Sequence, residues 1–166
     1  MNAAYQLART FIGTFEWKDG HNPKILKMFE DVGHKWVRDD ETAWCAAFVG
    51  AMLKRSGLPY TGKLNARSYC EWGEPVARKD AREGDVAIFW RGSRDSWQGH
   101  VAFFVADQGA TITVLGGNQS NSVNVTNYPA SRLLEIRRLP VANRAAPMRP
   151  NFFATLIALF TKGRRK

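Results

Sequence analysis

Cysteine is scarce in this sequence. Only Cys45 and Cys70 occur among its 166 residues, which is too few for a small protein held together by disulfides. Metal-ligand spacing is also missing, since neither a paired CxxC motif nor HExxH occurs. We therefore expect no bound metal and no cofactor, so that any chemistry must come from the side chains themselves.

Long apolar runs and a secretion signal are lacking as well. No stretch reaches the roughly 18 apolar residues that a membrane-spanning helix needs. The first residues, MNAAYQLARTFIG, do not place a basic segment before an apolar one, so we expect no Sec signal peptide. The chain is then expected to be made and folded in a cytoplasm, with its thiols reduced at first.

Acidic residues are the minority charge. The chain has 24 lysines and arginines against 15 aspartates and glutamates, a formal net charge of +9. This excess predicts affinity for polyanions: nucleic acid, anionic lipid, or envelope polymers that carry phosphates and carboxylates. The basic residues are scattered and no motif that reads bases is present, so we expect no specific nucleic-acid partner.

The first half of the chain has the spacing of helices. Asn2 and the pair Asn22–Pro23 are typical helix starts. The apolar residues after each start recur on one face until Gly13 and Gly33 end the pattern. The sequence therefore predicts two amphipathic helices before residue 34.

A third helix is predicted with Cys45 in its first turn and Gly57 at its end, because apolar residues recur at helical spacing between them. Residues 65–72 have the pattern of a short fourth helix. Three residues before the third helix are plausible caps: Asp39, Asp40 and Thr42.

From residue 85 the periodicity becomes that of strands. Five short β-branched or aromatic runs are separated by turn-forming residues: DVAIFW, HVAFFVA, TITVL, SVNVT and LLEIRRL. Their close spacing favours antiparallel pairing. We predict one α+β domain over residues 1–140, monomeric, with N-terminal helices packed on a small antiparallel sheet of about five strands.

The end of the chain has a different composition. Residues 141–151, VANRAAPMRPN, have the prolines and arginines of a linker. Residues 152–166 follow as an apolar segment, FFATLIALF, and a basic end, TKGRRK. This tail is too short to cross a bilayer. It is expected either to contact anionic envelope lipids as an amphipathic helix or to pack on the domain as a final helix.

Cys45 is the candidate nucleophile. A helix start favours a thiolate because its unpaired N–H groups and the helix dipole stabilise an anion. Trp44 beside it is expected to shield the site from water. The alternative is that Cys45 is a small buried hydrophobic residue, which is what a free cysteine on a core-facing helix most often is.

His100 is the candidate general base, because histidine titrates near neutral pH and can take and return a proton. It opens the run GHVAFFVA, whose alternation places His100, Ala102 and Phe104 on one face. The small Ala102 is expected to let the helix of Cys45 approach. The alternative is a surface histidine at a strand end.

A third residue should orient the imidazole. Asn118 in LGGNQ is the first candidate and Gln119 the second, since the double glycine is expected to let the backbone turn there. An amide oxygen could accept the imidazole N–H. Asp85 is a competing orienting residue. The alternative for GGNQSN is a plain hairpin loop.

Four blocks in this order resemble one family: DETAWCAAFVGAMLKRSG, EGDVAIFWRG, GHVAFFV and VLGGNQSNSVNV. They are similar to the CHAP and NlpC-like superfamily of papain-fold cysteine hydrolases, over about residues 10–140. The resemblance implies a papain-like fold, with Cys45 as nucleophile, His100 as base and Asn118 at the third position. Glu41 is a further candidate for the site rim. Many members have an acidic residue where this chain has Gly116 and Gly117, so no metal dependence is expected.

The resemblance also implies a function. Members hydrolyse amide bonds of bacterial peptidoglycan through an acyl-enzyme, and we favour an endopeptidase over an N-acetylmuramoyl-L-alanine amidase. Without a signal peptide, such an enzyme would reach the wall as a phage or prophage endolysin, through a holin or in a particle. Two alternatives are a non-catalytic wall-binding module and a membrane-active protein that works through its basic tail.

Overall fold

The protein is described by a computed structural model that covers residues 2–140. Residues 141–166, which hold the predicted linker and tail, lie outside the described residues. The chain forms a few helices, followed by a β-sheet, which confirms the α+β class. Within residues 2–140 no helix is long and apolar enough to cross a membrane.

Three α-helices make up the first half of the domain: α1 (Ala3–Arg9), α2 (Pro23–Asp31) and α3 (Cys45–Arg55). The side chains of Asn2 and Asn22 accept hydrogen bonds from N–H groups two residues later, as expected of N-caps. A short 3₁₀ helix, Ala66–Glu71, replaces the predicted fourth helix. Both caps confirm the predicted starts of α1 and α2.

Two details of the helices differ from the prediction. Helix α1 ends at Arg9, before the predicted stop at Gly13, because the chain leaves the helix to pair with a later strand through the bond from Gly13 N–H to the Val123 carbonyl. Helix α3 has Trp44 at its N-cap and no side chain caps it. Asp39 instead accepts bonds from the N–H and hydroxyl of Thr42.

Six antiparallel strands form one sheet in the order β1-β6-β2-β3-β4-β5. Five of them correspond to the five predicted runs. The sixth is β1, a two-residue strand too short to leave a periodic pattern. The bounds are β1 (Glu74–Pro75), β2 (Val86–Trp90), β3 (Gly99–Asp107), β4 (Thr111–Gln119), β5 (Ser122–Pro129) and β6 (Leu133–Arg138).

Helix α3 is the centre of the main core. Every residue from Cys45 to Leu53 is buried, because α1 and α2 pack on one side of the helix and β3 and β4 on the other. A helix buried all round must be apolar all round, which explains the run CAAFVGAML. Its first residue is therefore held by the core rather than by a mobile loop.

The opposite face of the sheet covers a second, smaller core that includes Phe89, Ala102 and Phe104. The sheet curls strongly, since Tyr128 of β5 stacks on Phe89 of β2 at 5.0 Å between ring centroids, although two strands lie between β2 and β5. Ala102 thus faces away from α3, and the residues of β3 that meet the helix core are Val101 and Phe103. The expectation that Ala102 admits the helix was wrong.

Gly117 makes the close approach of helix and sheet possible. A Cβ atom at this position would lie 2.5 Å from Cζ3 of Trp44 and 2.7 Å from Cβ of Phe48. Gly116 is similarly confined by Gln119 and Ala102. Neither glycine has a positive φ, so the pair serves packing rather than the sharp turn predicted for it.

Candidate active site

Cys45 is the first residue of α3 and is 6% exposed. The uncapped start of the helix leaves backbone N–H groups directed toward its thiol region. The peptide N–H groups of Val101 and Ala46 favour the thiolate, but burial is the largest influence and raises the pKa of the Cys45 thiol above its ordinary value. The helix start thus lowers this pKa as the sequence predicts, but burial outweighs it and the net shift is upward in the free protein.

The segment before Cys45 is held by hydrogen bonds to the N-terminal part of the chain. Trp44 is fully buried and its Nε1–H donates to Oε1 of Glu16 at 2.7 Å. Asp40 is fully buried too, and its carboxylate accepts from the N–H groups of Trp17 and Asn22. These bonds tie the N-terminal segment to the chain that enters α3, so the thiol has a defined position.

His100 lies at the start of β3 and is 2% exposed. Its Nε2 lies 3.0 Å from Oε1 of Gln119. The amide of Gln119 is oriented by Asn124, because Nε2 of Gln119 donates to both the carbonyl and the Oδ1 of Asn124, at 2.7 and 3.0 Å. Oε1 of Gln119 must then accept from Nε2–H of His100. This assignment leaves Nδ1 of the neutral imidazole as its free proton acceptor.

A β-bulge explains why Gln119, and not Asn118, contacts the histidine. Strict alternation along β4 would place Asn118 on the face of His100. The register between β4 and β5 shifts after Gly116, and Asn118 has a left-handed backbone with φ of 57°. The extra residue moves Gln119 onto that face. Asn118 lines the adjacent cavity without bonding the imidazole.

Tyr128 covers one face of the imidazole ring of His100. The two rings stack with centroids 4.8 Å apart and planes 12° apart. Together with the surrounding protein, this contact keeps water from the ring. Burial lowers the pKa of His100 to about 4, against the opposing effect of the Gln119 hydrogen bond. The imidazole is therefore neutral at pH 7, as a general base has to be.

Cys45 and His100 line the same cavity, which has a volume of about 340 Å³. Residues 91–98, the loop between β2 and β3, supply much of its outer wall. Among residues 2–140, no acidic side chain contributes to the lining. The other lining residues are Ala43, Leu64, Asn65, Ala66, Arg91, Gly92, Trp97, Gln98, Gly99 and Asn118.

Three further residues singled out from the sequence lie outside this cavity. Glu41 is exposed and does not line it. Trp44 supports the floor from within the core. Asp85 is buried just before the start of β2, whereas His100 pairs with Phe89 near the other end of that strand. The two carboxylate oxygens of Asp85 accept hydrogen bonds from Arg138 at 2.6 and 2.7 Å. Asp85 is a structural ion-pair residue and cannot orient the imidazole.

The sequence reasoning missed Tyr128, Asn124 and Arg91. Arg91 could have been found, because a loop that joins two paired strands lies beside the residue that starts the second strand. Tyr128 left no local signal, since its contact depends on the curl of the sheet. Within the described part of the chain, no cluster of three or more histidine, cysteine or acidic residues could hold a metal ion.

Comparisons with known proteins find one matching family model and several similar folds. The family model of the CHAP domain matches residues 37–118. An NlpC/P60 family protein from Bacillus cereus has a similar fold, with a TM-score of 0.54 and 17% identity over 83% of this chain and 40% of that one. RipD from Mycobacterium tuberculosis, a non-catalytic NlpC/p60 domain protein adapted to peptidoglycan binding, gives a TM-score of 0.50 and 16% identity over 83% and 95%. A search among curated proteins finds no relative.

Residues 37–118 thus match the CHAP domain family, and the domain has the papain-like fold of the CHAP/NlpC-like superfamily. The papain-like fold expected from the sequence is thereby confirmed. The Bacillus cereus protein is much longer than this domain, so the likeness concerns the fold of one part of it.

Proposed function

We propose that this protein is a cysteine hydrolase that cleaves an amide bond of bacterial peptidoglycan. One observation carries the proposal: a thiol at a helix start and a neutral imidazole, oriented by Gln119, line one cavity. This is the combination of nucleophile, base and orienting group that acyl transfer requires. The match to the CHAP domain model and the implied resemblance to peptidoglycan hydrolases support peptidoglycan as the substrate.

The geometry supports a mechanism that starts from a neutral pair. Nδ1 of His100 takes the thiol proton as the sulfur of Cys45 attacks the carbonyl carbon of the amide. Backbone N–H groups at the start of α3 stabilise the oxyanion. His100 then gives its proton to the leaving amine, and a thioester remains on Cys45. Water, deprotonated by His100, hydrolyses the thioester to a carboxylate and restores the thiol.

The choice of the cleaved bond and the endolysin-like role rest on the resemblance alone. We propose an endopeptidase rather than an amidase, acting on the wall in the manner of an endolysin. The tail is proposed to assist by contacting anionic lipid, since residues 141–166 hold six of the 24 basic residues and no acidic residue.

A non-catalytic wall-binding module is the second candidate. Two observations favour it: RipD shares the fold and is non-catalytic, and burial raises the pKa of the Cys45 thiol. A binding module has no need for the chain of hydrogen bonds from Asn124 through Gln119 to His100. We therefore prefer the hydrolase.

One experiment separates the two candidates. The protein is incubated with purified, insoluble peptidoglycan, the suspension is centrifuged, and both fractions are analysed. A hydrolase releases soluble fragments, and mass spectrometry of their new ends identifies the cleaved bond. Protein that sediments with the wall and releases no fragment supports the binding module and overturns the hydrolase proposal.

A further inference from the structure

The outer wall of the cavity carries the cationic side chain of Arg91. Arg91 lines the cavity beside Cys45 and His100. Its side chain forms no ion pair within residues 2–140, and no acidic side chain lines the cavity. A guanidinium in a cleft without a carboxylate partner is suited to bind an anionic ligand, because it offers several N–H donors in a fixed plane.

The loop that carries Arg91 is held in place by other groups. The N–H of Arg91 donates to the Gln98 carbonyl, and its own carbonyl accepts from the Ser96 hydroxyl. Arg67 fastens the loop from the helix side, donating to the carbonyls of Gln98 and Arg94 at 3.0 and 2.7 Å. The backbone of Arg91 thus stabilises the loop through hydrogen bonds, whereas its side chain takes no part in holding the loop within residues 2–140.

We propose that Arg91 binds a carboxylate of the substrate close to the amide that Cys45 attacks. The inference rests on the proposed hydrolase function and adds a substrate class to it: peptides with a free carboxylate beside the cleaved bond, rather than the corresponding carboxamide. Trp97, which is 73% exposed at the same wall, supplies an apolar surface for the neighbouring part of such a ligand.

The charge of Arg91 also reaches the reacting groups. It favours the thiolate of Cys45 and disfavours protonation of His100. If Arg91 acted on the thiolate alone, its loss would affect reactions with charged and uncharged ligands equally. The test must therefore compare ligands that differ in charge but not in shape.

Alkylation of Cys45 by iodoacetate and by iodoacetamide makes this comparison without any hydrolysis. In both reactions the thiolate sulfur bonds to the methylene carbon as iodide leaves, and only the carboxylate or carboxamide differs. The rate at each cysteine is measured by mass spectrometry of its peptide. Cys70, which is half-buried elsewhere, serves as the internal reference.

We expect Arg91→Gln to lower the ratio of iodoacetate to iodoacetamide rates at Cys45 by about tenfold. Arg91→Lys should recover most of the ratio because it keeps the charge. Arg94→Gln, a change in the same loop at a residue that does not line the cavity, should leave the ratio at Cys45 unchanged. The ratio measured at Cys70 should be the same in every variant.

Two results overturn the proposal. One is a parallel fall of both rates in Arg91→Gln with an unchanged ratio, which means that Arg91 acts on the thiolate alone. The other is a wild-type Cys45 that iodoacetamide modifies and iodoacetate does not, which means that the cavity does not admit a carboxylate beside the thiol. A lowered ratio in a protein that fails to solubilise peptidoglycan would preserve the carboxylate site and overturn only the hydrolase.

Discussion

Oε1 of Gln119 lies 3.0 Å from Nε2 of His100, and Asn124 fixes the direction of that amide. The imidazole is therefore held as the tautomer whose Nδ1 can accept a proton. This contact makes Gln119 the orienting residue of the proposed active site, and it leads to a direct comparison of two adjacent amides.

Gln119→Ala should lower kcat by roughly tenfold or more, because the imidazole loses the partner that fixes its tautomer. Asn118→Gly should cost less, since Asn118 does not bond His100 and glycine suits its left-handed backbone. Release of soluble fragments from peptidoglycan measures both variants. A larger loss in Asn118→Gly than in Gln119→Ala would return the orienting role to Asn118.

The choice between these two residues shows where sequence reasoning stops. The helix starts, the strands and the positions of Cys45 and His100 followed from local periodicity and from motifs. The bulge after Gly116 depends on a one-residue register shift between β4 and β5, which alternation cannot reveal. The sequence therefore indicated the segment that contacts His100, but it favoured Asn118 over Gln119, which forms the hydrogen bond.

The environment of the proposed catalytic pair, Cys45 and His100, was also beyond local reasoning. Tyr128 stacks on His100 only because the sheet curls until β5 meets β2 and β3. The pKa of Cys45 depends on how deeply α3 is packed, and burial outweighs the helix start. Both features come from tertiary structure, and they set the pH dependence.

The low pKa of His100 predicts that activity is maintained to an unusually low pH. His100 must be unprotonated to accept the thiol proton, and burial lowers its pKa to about 4. The value of kcat/KM should therefore hold as the pH falls through 6 and decline only near pH 4. Rates measured in buffers of constant ionic strength test this. A decline centred near the ordinary histidine pKa of 6.5 would contradict the buried geometry.

The same shift predicts how stability depends on pH. The pKa of His100 is lower in the folded than in the unfolded protein, so the unfolded state takes up the proton first as the pH falls. This contribution is complete above pH 6.5 and is lost between pH 6.5 and about 4. Urea unfolding at pH 7 and pH 4 should show the wild type losing roughly 3 kcal/mol more than His100→Gln. Equal losses would show that His100 is not shielded from water.

Gly117→Ala tests the close approach of α3 to the sheet. The added methyl would meet Trp44 and Phe48 at less than van der Waals distance, so we expect a loss of roughly 1–3 kcal/mol in unfolding free energy. Gly109→Asn is the control, since nothing crowds that glycine and asparagine tolerates its positive φ. Thermal unfolding measures both. An unchanged Tm in Gly117→Ala would mean that helix and sheet pack less tightly than described.

The central claim is that Cys45 is the nucleophile of an amide hydrolase. Its most direct test is the rate at which new amino groups appear in purified peptidoglycan treated with wild type, Cys45→Ala and Cys70→Ala, each checked for folding by circular dichroism. We predict release by wild type and Cys70→Ala and none by folded Cys45→Ala. Equal release by wild type and Cys45→Ala would contradict the account, because Cys45 would then be a packing residue of the core.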